Sequence, residues 1–332
     1  MTSLTGFAGA LPDAQGRPPG LPLRALALGA AWLALTAATY ALPEDGDFPT
    51  TAAFAAGALG LSLVLPLLVA RSAHLGRAGA SLAHWTPWLT LLALALTAWE
   101  LITAKFALLP MPFFPPPQAI LEVFLEDWPR LGGSILASLK LLAGGYLIGA
   151  GLGFVLGVAI GWSKAVGYWA HPILRFVGPL PATAWLPMAF FVFPSSWSAS
   201  TFLIALATGF PVTVLTWSGV AGVNKAYFDV ARTLGASPAF LVLRVAVPAA
   251  LPHVFVGLFM GLGGAFAVLV VAEMLGVKSG LGWYLQWAQG WAAYANMYAA
   301  LIVMALMCSG LITLLFRLRD RVLSWQKGLV QW

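Results

Sequence analysis

The chain has 332 residues, of which 61% are hydrophobic and only 8% charged, whereas soluble domains carry about 25% charged residues. That balance excludes a soluble globular protein. Long uncharged runs read as membrane-spanning helices, and the alternating period of a membrane barrel is absent. The net charge of +6 comes from basic residues clustered in short loops, so a nucleic-acid partner is not expected. The lone Cys308 excludes an intrachain disulfide, and no metal-ligand spacing occurs.

Eight spans are expected, near 22–42, 51–70, 87–109, 134–161, 179–194, 198–219, 250–276 and 295–316. The resulting fold class is all-α, a polytopic membrane helical bundle. The first apolar run follows Arg17 and Arg24 and covers about 20 residues. A signal-peptide core covers only ~7–15, so the run reads as a retained helix. With the second span it forms a hairpin, and residues 1–85 read as one part of the chain. The loop "RSAHLGRAGASLAHW" separates it from residues 86–332.

The third span carries Glu100 near its middle. After it, "LLPMPFFPPPQAILEVF" has three consecutive prolines, which remove donors and fix φ. It reads as an extended segment leading into a short amphipathic helix at about 117–127. The fourth span holds Lys140 near its start. Its Gly145, Gly149, Gly153, Gly157 and Gly161 fall four residues apart, on one stripe of a helix. Small residues at this spacing let two helix backbones approach in lipid, so tight packing is preferred over a pore lining. The fifth span, 179–194, is short and holds Pro181 and Pro187. The seventh has a weaker small-residue stripe, Gly257, Gly261 and Ala265, and Glu273 near its outer end. An ionisable group there either faces the bundle interior and a pathway or caps and pins the span. Glu100 and Lys140 invite the same pathway reading, unless they pair with each other.

Charge placement sets the expected orientation. Arg17, Arg24, Arg71, Arg77, Lys164, Arg175, Lys225, Arg232, Arg244, Arg317, Arg319, Arg321 and Lys327 fall on one side, which is then cytoplasmic. Glu44, Asp45, Asp47, Glu122, Glu126 and Asp127 fall on the other, with Arg130 and Lys278 as exceptions. Both termini are expected inside. His171 and His253 flank prolines at helix ends, where a lone His reads as a surface or capping residue, because metal sites need clustered ligands. No phosphate-binding G-x-x-x-x-G-K-[ST] loop, H-E-x-x-H or G-x-S-x-G occurs.

Between the sixth and seventh spans lies "FDVARTLGASPAFLVLRVAVPAALP", residues 228–252. Its first part favours helix. Gly235 stands where a helix ends in the left-handed region. Ser237 is a good N-cap, and Pro238 fits a first helical turn. The expected second helix, "PAFLVLRVAV", stops before Pro248. The pattern is helix, glycine elbow, helix, on the cytoplasmic side. Phe228, Ala231 and Leu234 share its apolar face, which packs on its own bundle or docks into a groove of a soluble partner.

This stretch resembles the E-A-A motif of permease subunits of bacterial ATP-binding-cassette importers. Asp229, Val230 and Ala231 take the E-A-A places and Gly235 the glycine. Val245, Ala246, Val247 and Pro248 take the closing I-x-L-P. Asp for Glu, Val for Ala, and Val for Ile and Leu are the departures. From about residue 88 onward, "WELITAKFALLPMPFFPPPQAI", "GPLPATAWLPMAFF" and "AEMLGVKSGLGW" are similar to the nitrate, sulfonate, taurine and bicarbonate branch. The stretch "FVFPSSWSAS" departs from it, and the N-terminal hairpin lies outside the family core.

The resemblance implies an importer permease in the bacterial inner membrane. It forms a dimer, with a coupling helix near 224–244 seated on a separate ATPase that binds the ATP. A periplasmic or lipid-anchored binding protein delivers a small anion or organic sulfonate. This chain itself is then neither an enzyme nor a holder of a cofactor. Asp229, Ala231, Arg232, Gly235, Ser237 and Pro248 are the expected ATPase-coupling positions, and Lys140, Glu273 and Glu100 the candidate pathway groups. The alternatives are a scaffold that keeps the fold without transport, an importer of another solute such as a vitamin precursor, and a membrane-embedded enzyme, for which no catalytic cluster is found.

Overall fold

The computed structural model describes residues 21–44 and 46–326, so Arg17, Asp45 and Lys327 lie outside the described residues. The described residues form helices and connecting turns, with no strand among them. Seven helical segments are long and apolar enough to cross a membrane, and a bent helix pair makes an eighth if counted as one span. The fold is therefore a polytopic helical bundle. The chain divides into two compact units, one up to residue 128 with 292–298, the other 129–291 with 299 onward.

In the first unit, α1 (Leu21–Ala41), α2 (Thr51–Ala70) and α3 (Gly76–Glu100) pack together. Leu28, Trp32 and Leu35 of α1 meet Ala58 and Val69 of α2 and Ala93 of α3 in a buried core. The expected loop after α2 is short. A 3₁₀ turn, Ser72–His74, leads directly into α3, and "RAGASLAHW" is helical. Gly76 supplies the turn with a φ of +56°. At Gly79 an added Cβ would overlap the Ser72 carbonyl, so this glycine admits the turn rather than breaking the helix. The expected division at 85/86 thus falls inside a continuous helix. A π-helical turn, Leu101–Lys105, ends this span, and α4 (Pro117–Glu126) follows the prolines with Pro117 at its first position.

The second unit is built on α5 (Trp128–Trp162), α8 (Ser196–Ala221) and α11 (Val247–Leu275). The glycine stripe of α5 faces α8. An added Cβ would lie 2.6 Å from Ile204 Cβ at Gly145, 2.7 Å from the Gly209 carbonyl oxygen at Gly153, 2.5 Å from Thr216 Cβ at Gly157 and 2.7 Å from Val220 Cβ at Gly161. At Gly149 it would overlap the Ala205 carbonyl. On α11, Gly257 and Gly261 approach the backbone of Val212 and Thr208 to 3.0 and 3.1 Å in the same sense. Helix α8 therefore lies between two small-residue seams, where backbone contact replaces side-chain interdigitation. Leu141, Leu142, Leu203, Ile204, Leu262 and Leu269 complete the core, with Cys308 and Leu311 of α13 (Tyr294–Val322) packed against it.

The expected fifth span is a correction. Residues 179–194 are not one helix: α6 (Lys164–Val177) and a short segment ending in α7 (Leu186–Val192) meet at 87°. Pro181 lies in extended backbone at the break, and Pro187 sits in the first turn of α7, where its missing N–H costs nothing. A second correction concerns Pro248. The helix begun at α10 (Pro238–Phe240) does not stop there. It runs through a π-helical turn, Leu241–Ala246, into α11. The wider i→i+5 turn relieves the clash between a proline ring and the carbonyl four residues earlier. Helices α9 (Lys225–Thr233) and α12 (Leu281–Gly290) complete the elements.

Candidate functional site

Helix α9 starts at Asn224, whose side chain accepts a bond of 3.0 Å from the Ala226 N–H. It ends in a paired motif around a left-handed glycine. The Ala236 N–H donates to the Ala231 carbonyl and the Gly235 N–H to the Arg232 carbonyl, both at 3.0 Å. Gly235 has a φ of +78°. This satisfies two carbonyls that the helix end would otherwise orphan. Ser237 then caps the next helix, accepting from the Phe240 N–H at 3.3 Å. Ala231, Gly235 and Ser237 thus build one elbow. Asp229 and Arg232 are exposed and lie 3.4 Å apart one turn along α9, a surface pair worth about 0–1 kcal/mol. Pro248 lies beyond the π-helical turn, in the first turn of α11, rather than in the elbow.

One side chain ties the elbow to the bundle. Phe228 packs on the cluster formed by Val220 of α8 and by Ala246 and Ala250 where α11 begins, a cluster that Val158 of α5 also meets. Its ring meets Trp162 edge-on at 5.8 Å. The shared apolar face splits. Phe228 and Ala231 are half-buried, while Leu234 is 83% exposed. Tyr227 and Val230 are exposed beside it. The elbow therefore has one face on its own helices and another exposed.

Glu273 is fully buried and bonded. Ser138 of α5 donates its hydroxyl to the carboxylate at 2.7 Å, and the Gly282 N–H donates at 2.8 Å. The Leu281 N–H donates in turn to Ser138 Oγ at 2.8 Å. The carboxylate thus caps the N-terminus of α12, where the first N–H groups lack helical partners and negative charge is favoured. Gly280, with φ +104°, has no room for a Cβ, which would overlap the same carboxylate. This geometry matches the capping and pinning reading. Ser138 and the α12 turn carry no signal in the sequence, since a serine in an apolar run is ordinary until its partner, 135 residues away, is known.

Glu100 has an ion-pair partner within its own unit. Its partner is Lys105, at 3.6 Å. Residues five apart sit about 140° round an ordinary helix, and the intervening π-helical turn brings these two together. The buried Lys105 ammonium also donates to the Thr39 carbonyl at 2.8 Å, the Leu42 carbonyl at 3.1 Å and Glu44 at 3.2 Å. Gln118 donates to Glu100 at 3.2 Å. Lys140 is exposed on α5. The three candidate pathway groups therefore have three different settings: a buried node in the first unit, a helix cap in the second, and an exposed helix face. Among the described residues, no group of three His, Cys, Asp or Glu side chains is placed to hold a metal ion.

The described residues thus form a polytopic helical bundle with an exposed, capped elbow between two candidate membrane spans. The chain belongs to the family of binding-protein-dependent transport system inner membrane components, whose model matches residues 149–326. A probable ABC transporter permease protein of Brucella abortus is 32% identical over 237 residues, covering 71% of this chain and 93% of the relative. A putative aliphatic sulfonates transport permease protein of Bacillus subtilis is 30% identical over 246 residues, covering 74% and 89%. A nitrate import permease protein of Synechococcus elongatus is 29% identical over 261 residues, covering 75% and 91%. This chain has the family's role, the membrane permease of an ABC importer, and about a quarter of it has no counterpart in these relatives.

Proposed function

We propose that the chain carries a small oxyanion or organic sulfonate across the bacterial cytoplasmic membrane, as one of two identical permease subunits. The elbow at Asp229, Ala231, Arg232, Gly235 and Ser237 seats on a separate cytoplasmic ATPase, which holds the ATP. Pro248 lies downstream on the span that the elbow moves. A binding protein on the outer side delivers the solute, and both termini face the cytoplasm. The named solutes of the relatives, aliphatic sulfonates and nitrate, support this solute class.

The observation that carries the coupling role is the elbow itself. Its capped glycine turn is rigid, its Leu234 face is open, and Phe228 roots it on α5, α8 and α11. A rigid element seated on three helices transmits a partner's movement to all of them. The residues up to about 85 serve as an anchoring hairpin, held by the Lys105 node. Co-purification with an ATPase subunit and solute uptake test the assignment together. Gly235→Pro is expected to insert in the membrane but lose uptake, and normal uptake by that variant would refute the elbow's role.

A further inference from the structure

The second unit carries a cleft of about 620 Å³ between α6 and α8, within the ~300–1,000 Å³ range of small-molecule sites. Tyr168, His171 and Arg175 line one wall. Phe210, Val214 and Trp217 line the other. On α6 the three polar residues are spaced i, i+3 and i+7, so they share one helix face. No carboxylate lines the cleft, and Arg175 has no ion pair among the described residues. The His171 ring packs edge-on against Trp217 at 4.4 Å between centroids, which fixes the imidazole at the wall.

The geometry points to an oxyanion-binding site in this cleft, on the solute's route; this rests on the importer reading above. Arg175 supplies the guanidinium, whose planar fork matches two oxygens of a nitrate, bicarbonate or sulfonate group. Imidazole carries an N–H in either tautomer, and the Tyr168 hydroxyl adds a further donor. The aromatic wall takes the rest of a short organic sulfonate. A cationic solute finds no partner here.

The cleft's place in the fold gives it a means of regulation. Trp217 lies in the last turns of α8, which ends at Ala221 just before the elbow. Helix α6 begins at Lys164, two residues after Trp162, whose ring meets Phe228 of the elbow. Both walls are thus rooted at the elbow, and its movement changes their separation. At the far end, Phe210 also lines a second cavity of about 300 Å³ at the break between α6 and α7.

The test uses the whole importer, reconstituted with its ATPase and binding protein in liposomes, with labelled nitrate, bicarbonate and taurine as probes. Arg175→Gln is expected to lower anion uptake about 10–100-fold, the loss of a hydrogen-bonded charge pair, while ATP hydrolysis stays within about twofold. Arg175→Lys keeps charge without the fork and is expected to fall between. As a readout independent of Arg175, Val214→Cys in a Cys308→Ser background is expected to react faster with an anionic sulfonate thiol reagent than with a cationic one. The transported anion should slow that reaction.

If wild type carries an anion and Arg175→Gln carries it equally well, the site is refuted and the importer reading stands. Equal labelling rates for the two reagents refute the site as well. If wild type carries none of the three anions, the solute class falls and the site with it. Lipid phosphate shares the chemistry, so each assay is run in phosphatidylcholine with and without phosphatidylglycerol. A deficit of Arg175→Gln seen only with the anionic lipid refutes the solute site, and one seen in both supports it.

Discussion

Replacing Glu273 with Ala separates a structural cap from a solute contact. The carboxylate accepts from the Ser138 hydroxyl and the Gly282 N–H, and Glu273 is 1% exposed. The variant leaves both donors buried without an acceptor, at ~1–3 kcal/mol each, so about 2–6 kcal/mol in all. A unit of this size loses roughly 2–4 °C of Tm per kcal/mol, which gives an expected drop of roughly 5–20 °C. Glu273→Gln keeps the volume and one acceptor oxygen but turns a donor toward a donor, so about half that drop is expected. Ser138→Ala should resemble Glu273→Gln, since it orphans the Leu281 N–H. Tryptophan fluorescence during heating in detergent measures the drop, and uptake is measured below the lowered Tm. If Glu273→Ala melts within about 2 °C of wild type while uptake collapses, the capping argument is wrong and Glu273 meets the solute.

The other predictions use different parts of the molecule. Gly235→Pro forces φ from +78° to about −65° and removes the N–H that bonds Arg232, at ~3 kcal/mol or more; it should abolish uptake in inserted protein. Gly235→Ala meets no atom within 4 Å, so it should cost only the left-handed strain of ~1–2 kcal/mol and retain measurable uptake. Gly157→Ala drives a Cβ to 2.5 Å from Thr216 and should destabilise by ~1–3 kcal/mol. Gly151→Ala, with nothing within 4 Å, should stabilise by ~0.5–1 kcal/mol, and thermal melts of the pair check the seam. Lys105→Met strands Glu100 uncompensated and should cost ~3–5 kcal/mol, and adding Glu100→Met should recover most of it in the same melts.

Features encoded within a few residues of chain are legible in the sequence alone. The glycine elbow is one, because a left-handed C′ glycine, a serine cap and a first-turn proline act over six residues. The α5 stripe is another, since its period alone fixes a face. What the stripe faces is not legible, and neither is the Glu273 cap, whose partners lie 135 and 9 residues away. The fifth span escapes the sequence for a different reason. Lys164, His171 and Arg175 look like a charged loop, yet they lie on helix α6, whose exposed positions also include Trp169, Ile173 and Phe176. The stretch before α3 reads as a loop in the sequence, yet it is helical from Gly76 and carries two glycines. One makes a turn, and the other makes room for it.

The third span holds the most consequential difference between expectation and structure. Glu100 invites a pathway role because a carboxylate within a span is costly unless it has work to do. Its work is to neutralise Lys105, which in turn bonds the carbonyls at the end of α1 and Glu44 in the α1–α2 loop. The charge pair thus joins the hairpin to the end of α3 within a single compact unit. A buried ammonium needs several acceptors at once, and two of these four belong to the chain's first span or its C-terminal turn. Deleting the hairpin would therefore strip Lys105 of most of its partners and leave the end of α3 with a charge it cannot hold. The hairpin is tied to the span that follows it by that requirement.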